Sequence, residues 1–370
     1  MQILNSISTD SDTSTHLELM TVLTDIARNV EICDDFAIHH PDYKPLEIPA
    51  EAVTRFQQMP EQMKQKLLSL QLRSFLYGIY YNGSMRSALA KNTPAHSFQL
   101  DLENNTFMGI DMAFFKRLHQ SNCGMGYFDR NWTILQAEGD ENLVVQKGGL
   151  KLHIDREKHL AATQQQARVG EVVAIKMPKN MMQNGFYMAI SDLGFDRQQA
   201  GDTLVRIYFS LTPDGAITVM NSLTQMLNES KIIFSFKILY NPQDYQRCDA
   251  GVLYFNKQDY NTVSGILELI HTQHESYFLP HIPLFTKQLA IGLGLAEEPD
   301  LKFTERESFG MNRCQIVADG LLTAFYEGQN YDTEKMSAIL AQFSKVGIDL
   351  QHPYLNSDSE NIYHALSRSN

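Results

Sequence analysis

Residues 204–255 read LVRIYFSLTPDGAITVMNSLTQMLNESKIIFSFKILYNPQDYQRCDAGVLYF. Leu204–Leu211 is a β-rich apolar run. Pro213-Asp214 then opens a helical stretch, Ala216–Asn228, with proline just ahead of the helix, where its missing N–H costs nothing. Ile232–Tyr240 and Val252–Phe255 return to strand. These runs describe a sheet with a covering helix, and the flanking sequence extends it. Upstream, Trp132–Gln136 and Leu143–Lys147 flank the turn-forming AEGDEN and read as a hairpin. Lys147-Gly148-Gly149 turns the chain into Leu150–Ile154, and Val172–Met177 and Phe186–Ser191 follow as strands. Downstream, Thr262–Thr272 is helical, TKQLAIGLGLAEEP is extended, and two helices lie near Asn312–Tyr326 and Thr333–Val346.

The N-terminal third differs. Leu17, Leu19, Met20, Val22, Leu23, Ile26 and Val30 recur at helical spacing. HHPDYKPLEIPAE (39–51) is too rich in proline to be continuous helix. Glu61–Tyr81 is a strong helix, with Pro60 and Glu61 at its start and Asn82-Gly83 as its stop. Residues 84–105 read as a polar connector, and Asp111–Gln120 as a short helix. The expected fold is α+β: a helical N-terminal third packed on a mixed, largely antiparallel sheet with covering helices. Its segments are a disordered terminus (1–15), a helical subdomain (16–120), an α+β core (121–355) and an irregular tail (356–370).

The chain has 370 residues, 43% hydrophobic and 20% charged, which is a globular composition. Its net charge of −12 argues against a phosphate-backbone partner, which needs a basic surface, so no nucleic-acid role is expected. Cys33, Cys123, Cys248 and Cys314 are far apart, without the paired spacing of a zinc site or a disulfide framework, and read as reduced, mostly buried thiols. No apolar run approaches the ~18–20 residues of a membrane span, and the polar start lacks a secretory signal. A cytoplasmic protein with no membrane partner is expected.

Several nucleotide and hydrolase motifs are absent or incomplete. SNCGMGYFD (121–129) lacks the third glycine of a dinucleotide fingerprint and reads as a tight turn. There is no Walker loop and no G-x-S-x-G elbow. His271 and His274 are three apart on a helix, and a solvated face is favoured over a metal pair. No metal or other cofactor is expected.

What stands out is basic residues inside apolar strands or beside turns: Arg206, Lys237, Lys287, Arg313, Arg247 next to Asp249, and Lys176 with Lys179. Each alone has a plain structural reading, because long basic side chains bury their stems and keep their heads in water. Converging on one cleft, they would form an anion site. A lysine in an apolar wall is desolvated, which favours its neutral amine, the form that acts as a general base. Lys237, between Phe236 and Ile238, suits that role best. His153, in KLHID, is a candidate general acid.

The residues LRSFLYGIYYNGS (72–84), SNCGMGYFD, NGFYMAISD (184–192), VRIYFSLTPDGA (205–216), FSFKILYNPQDYQRCDAGVLYF (234–255), PLFTKQLAIGLGLAEEP (283–299) and SFGMNRCQIVADGL (308–321) resemble the HopA-type effector family. Relatives of that family occur in the biosynthesis of ribosomally made peptides, including lanthipeptides, beside a kinase-like protein. The resemblance implies that the kinase phosphorylates Ser or Thr of a precursor peptide, and that the HopA-like partner eliminates phosphate to leave dehydroalanine or dehydrobutyrine. It implies a metal-independent phosphoserine/phosphothreonine lyase similar to the phosphothreonine lyases among other effectors, in which lysine and histidine lie one residue apart in a strand, the spacing of Lys151-Leu152-His153. On that basis Lys237 is the expected base and His153 the acid. Arg206, Arg247 and Arg313 are the expected phosphate ligands, with Lys179 and Lys287 as further candidates. Two other readings stand beside it: a non-catalytic interaction module, and a scaffold that presents a leader peptide to the kinase.

Overall fold

The computed structural model describes residues 6–33, 37–47, 55, 57–92, 106–107, 109–183, 185–194, 202–305 and 307–367. Helix α1 (Ser6–Asn29) leads into a three-stranded antiparallel sheet of β1 (Glu31–Ile32), β2 (Ile38–His40) and β3 (Tyr43–Leu46). The helix therefore begins inside the stretch expected to be disordered. The first part of the proline-rich segment, through Leu46, belongs to this small sheet, and residues 48–51 lie outside the described residues. Helix α2 (Glu61–Leu76) continues without a break into a π-helical turn, Tyr77–Tyr81. Of the expected polar connector, Arg86–Leu89 forms the short helix α3, and residues 93–105 lie outside the described residues. A two-residue pair, β4 (Thr106–Phe107) and β5 (Ile110–Asp111), precedes α4 (Met112–Ser121), whose first turn is capped by the Asp111 carboxylate accepting from Phe114 N.

The remainder holds two sheets. The smaller is four-stranded: β6 (Tyr127–Glu138), β7 (Asn142–Lys147), β8 (Leu150–Asp155) and β9 (Val172–Met177), in the order β8-β7-β6-β9, with the short helix α5 (Arg156–His159) between β8 and β9. It has its own apolar core around Trp132, Ile134, Leu143, Val145 and Ile175. The larger is seven-stranded and antiparallel throughout: β10 (Asn180–Gln183), β11 (Phe186–Ile190), β12 (Leu204–Phe209), β13 (Phe234–Leu239), β14 (Gly251–Asn256), β15 (Lys287–Ala290) and β16 (Leu293–Glu297), in the order β10-β11-β13-β14-β12-β16-β15. Helices α6 (Pro213–Glu229) and α7 (Tyr260–His274) pack together beside it, and α8 (Phe309–Tyr326) and α9 (Asp332–Lys345) close the chain.

Strand alternation divides the large sheet into two faces. Phe209 and Phe236 point to one, where Phe209 meets Phe278 just beyond α7. Tyr208 points to the other, where it meets Tyr81 of the π-turn and Phe309 of α8. Helix α8 is buried on nearly every side. Gly310 lets it approach that closely, since a Cβ there would lie 2.3 Å from the Tyr81 ring. The tail after residue 355 contains no helix or strand among its described residues, yet it is tied down. Glu297, fully buried, accepts from Lys257 Nζ, Ser359 Oγ and Tyr363 Oη, each at 2.8 Å, and from Asn356 N at 3.0 Å.

Candidate functional site

Register determines which basic residues meet. Arg206 on β12 lies opposite Tyr254 on β14, and Tyr254 lies opposite Ser235 on β13. Lys237 is two residues further along β13, opposite Val252. Arg206, Tyr254, Ser235 and Lys237 therefore share the face that Tyr208 occupies. Beyond the cover of α8 this face opens into a cavity of ≈ 780 Å³, lined by Arg206, Tyr254, Lys237, Ser235, Glu298, Lys302 and Ser308, among others.

The cations are held against aromatic rings. Arg206 Cζ lies 5.0 Å from the Tyr254 ring centroid, and Lys237 Nζ lies 5.5 Å from the same centroid and 4.7 Å from that of Phe186. The negative face of an aromatic ring attracts a cation, so Tyr254 sits between two charges that would otherwise repel. No hydrogen bond or ion pair among the described residues engages Lys237 Nζ or Tyr254 Oη. Arg206 is paired with Glu298, and the other Glu298 oxygen accepts from Lys302 Nζ at 2.6 Å. The Glu298 carboxylate thus bridges two cations at the cavity wall. Ser308, at the N-cap of α8, accepts from Met311 N and brings a helix N-terminus to the same wall.

Arg247 adjoins this group, 5.7 Å from the Phe186 centroid. Its Nε and Nη2 donate to Asp249 at 2.5 and 2.9 Å. Burial favours the neutral Asp249 carboxyl, but the Arg247 hydrogen bond and charge, the Asn82 amide and Lys237 outweigh it and hold its pKa below the usual value. Tyr77 Oη and Asn82 Nδ2 also reach Asp249 Oδ2, at 3.4 and 3.2 Å. Those two residues are five apart. Only the i→i+5 spacing of the π-turn stacks them on one side, which gives a physical purpose to the YGIYYN segment.

The remaining candidates lie elsewhere. Arg313 is 1% exposed, and its donors are committed to Pro353 O, Leu355 O and Asn312 Oδ1 at 2.6–2.8 Å. Burial lowers its pKa to about 10. It anchors the C-terminal segment and does not line the cavity. Lys287 aligns with Leu295 and Ile207, on the opposite face from Lys237, with its Nζ 5.3 Å from the Tyr354 ring centroid. Lys179 donates to Asn122 O at 2.7 Å, where the SNCGMGYFD turn joins the two sheets. Gly126 of that turn has φ +84°, and a Cβ there would meet Met177 O at 2.3 Å, so the motif is a structural junction. His153 is exposed on β8 of the small sheet, paired with Glu138 Oε2 at 2.9 Å, and it faces a different cavity. Lys237 and Arg206 are thus brought together, with Arg247 beside them. His153, Arg313, Lys179 and Lys287 do not join them.

Sequence reasoning passes over Tyr254, Glu298, Lys302 and Ser308. Tyr254 could have been found by extending the alternation of β14 against β12; the others lie in irregular chain that carries no pattern. Among the described residues no cluster of three His, Cys, Asp or Glu side chains is placed to hold a metal ion. His271 instead bonds Ile291 O at 2.9 Å. None of the four cysteines is in a disulfide; Cys314 is buried and Cys123, contrary to expectation, exposed. No helix among the described residues is long and apolar enough to cross a membrane.

Comparison with known proteins agrees with the sequence resemblance. The HopA1 effector protein family matches residues 177–355. That span starts where the small sheet ends and contains Lys237, Arg206, Arg247, Tyr254 and Glu298, but not His153. Two solved structures are similar to the chain. One is the effector protein from Pseudomonas syringae pv. tomato strain DC3000, at 21% identity and TM-score 0.36, over 46% of this chain and 63% of that one. The other is the effector protein from Pseudomonas syringae pv. syringae strain 61, at 16% identity and TM-score 0.42, over 83% of this chain and 97% of that one. This chain therefore spans less than two thirds of the first effector's length. No curated protein matches.

Proposed function

We propose that this chain, whose residues 177–355 fall in the HopA1 effector protein family, is a phosphoserine/phosphothreonine lyase that acts on a ribosomal precursor peptide after a partner kinase. In this reading a phosphorylated residue enters the cavity with its phosphate toward Arg206, Lys302 and the N-terminus of α8. Lys237 is the base that removes the α-proton. The electron pair forms the Cα=Cβ bond, and phosphate leaves from Cβ, giving dehydroalanine from phosphoserine and dehydrobutyrine from phosphothreonine. The chemistry calls for a base, an anion cradle and a proton for the leaving oxygen.

The observation that carries this reading is the placement of Lys237, unpaired among the described residues, in one cavity with two further cations. Charge-assisted donors such as Arg206 and Lys302 suit a phosphate dianion. One observation favours the other reading, a non-catalytic interaction module. Arg206 and Arg247 are already paired with carboxylates, as structural arginines are.

Mass spectrometry of phosphoserine and phosphothreonine peptides incubated with wild type and Lys237→Ala separates the two. Loss of phosphoric acid with wild type alone is expected. Intact phosphopeptide with wild type, when the precursor phosphorylated by its own kinase is used, would leave the interaction module as the better account.

A further inference from the structure

His153 lies on the other sheet, so the residue expected to protonate the leaving oxygen is not at the cavity. We propose that Tyr254 is that donor: its phenol protonates the bridging oxygen of the departing phosphate. This inference rests on the lyase reading and extends it.

Position is the first argument. A base and an acid for one elimination must reach adjacent carbon centres, because the α-proton and the Cβ–O bond belong to neighbouring atoms. Tyr254 is diagonal to Lys237 across the β13–β14 pair and directly opposite Arg206 across the β14–β12 pair. It is the group that stands between the base and the phosphate ligand, and its ring contacts both cations. Availability is the second argument. Tyr254 is half-exposed at the cavity wall, and its hydroxyl has no partner among the described residues. The buried tyrosines nearby are spoken for or sealed off: Tyr77 bonds Asp249, and Tyr81 and Tyr208 are enclosed beneath α8. Chemistry is the third. Ser235 and Ser308 carry alkyl hydroxyls, which are far weaker acids than a phenol, and Ser308 is engaged as a helix cap. Both oxygens of Glu298 are already engaged, one with Arg206 and one with Lys302.

The step balances. Lys237 takes the proton from Cα as Cα=Cβ forms and the Cβ–O bond breaks. The phosphate departs with that bonding pair and receives the Tyr254 phenolic proton. The Lys237 ammonium then returns its proton to the Tyr254 phenolate, so the net transfer runs from Cα to phosphate and both residues are restored.

Tyr254→Phe is the suitable variant, because it keeps the ring that both cations contact and removes only the hydroxyl. Two peptides of one sequence, one with phosphoserine and one with O-sulfoserine, distinguish an acid from a structural part, since sulfate leaves without needing a proton. A general acid contributes about 10²–10⁴-fold. Dehydroalanine formation from phosphoserine is expected to fall about 100-fold or more in Tyr254→Phe, and formation from sulfoserine by less than about 10-fold. Equal losses on both peptides, or no loss on either, with an active wild type would overturn the role of Tyr254 and leave the lyase standing. A wild type that forms no dehydroalanine would overturn the lyase reading and this inference with it.

Discussion

Glu298→Gln tests whether the cavity is an anion site. In the wild type the Glu298 carboxylate bridges Arg206 and Lys302 where a phosphate would bind. Glutamine keeps the shape and one acceptor oxygen but removes the charge. At about 7 Å and an effective dielectric of about 20, a unit charge acts on each phosphate charge by roughly 2 kcal/mol. The Glu298 side chain is 15% exposed, so solvent screening reduces this to about 1–2 kcal/mol, or roughly 5–30-fold tighter phosphate binding. The same change costs stability in the absence of phosphate, because the Arg206 side chain is only 9% exposed and loses its counter-ion. Full loss of a buried partner costs about 3–5 kcal/mol, and the retained acceptor and the Tyr254 ring place this case at the lower end. Thermal unfolding across a titration of inorganic phosphate, with chloride at matched ionic strength as the control, reads both effects. The variant should start below wild type and gain more from phosphate, because a ligand that binds only the folded state stabilises it in proportion to ln(1 + [L]/Kd). A variant that gains no more from phosphate than wild type would refute the placement of the phosphate.

Other predictions concern the frame of the site. Gly310→Ala should destabilise the chain by about 1–3 kcal/mol in urea unfolding, because the new methyl overlaps the buried Tyr81 ring and neither helix can retreat; unchanged stability would mean that α8 and the π-turn are less tightly joined than described. Glu297→Ala strips the partner from Lys257 and the anchor from the tail, and should cost about 3–5 kcal/mol and open residues 356–367 to protease; a tail still protected would contradict the anchoring. Burial lowers the pKa of His40, whose Nδ1 accepts from Asp42 N and whose Nε2 lies 2.8 Å from Tyr80 Oη. The unfolded chain therefore takes up a proton that the folded one resists. Stability is full above about pH 6.5 and falls as pH drops through the folded value. Denaturation at several pH values should show that loss in wild type and a smaller one in His40→Gln, and equal losses would remove His40 from the account.

Much of the frame was legible in the sequence for a local reason. Strands β9, β12, β13 and β14 are runs of β-branched and aromatic residues bounded by turn signals, and α4 and α6 carry their caps in plain view as Asp111 and Thr212-Pro213. The same alternation identified Lys237 and Arg206 as basic residues on apolar strands. What failed depended on distant partners. Arg313 reads as a polar break in an apolar helix, but the carbonyls that bury it come from Pro353 and Leu355, forty residues later. Lys287 and Lys237 look alike in sequence, and only the strand order puts them on opposite faces. Edge strand β10, NMMQ, has no β-branched residue and pairs only because the chain folds back along β11. The π-turn left no mark either, since YGIYY suits an α-helix equally well until Asp249 is seen to need both Tyr77 and Asn82.

The most direct test of the central claim is to follow both products of the reaction at once. A phosphoserine peptide, or the precursor phosphorylated by its kinase, is incubated with wild type or Lys237→Met in the presence of a thiol that traps dehydroalanine, and released phosphate is measured in parallel. Elimination at this cavity predicts equal amounts of thiol adduct and phosphate with wild type and neither with Lys237→Met. Phosphate released without adduct would mean hydrolysis, and adduct formed equally by both proteins would remove Lys237 as the base.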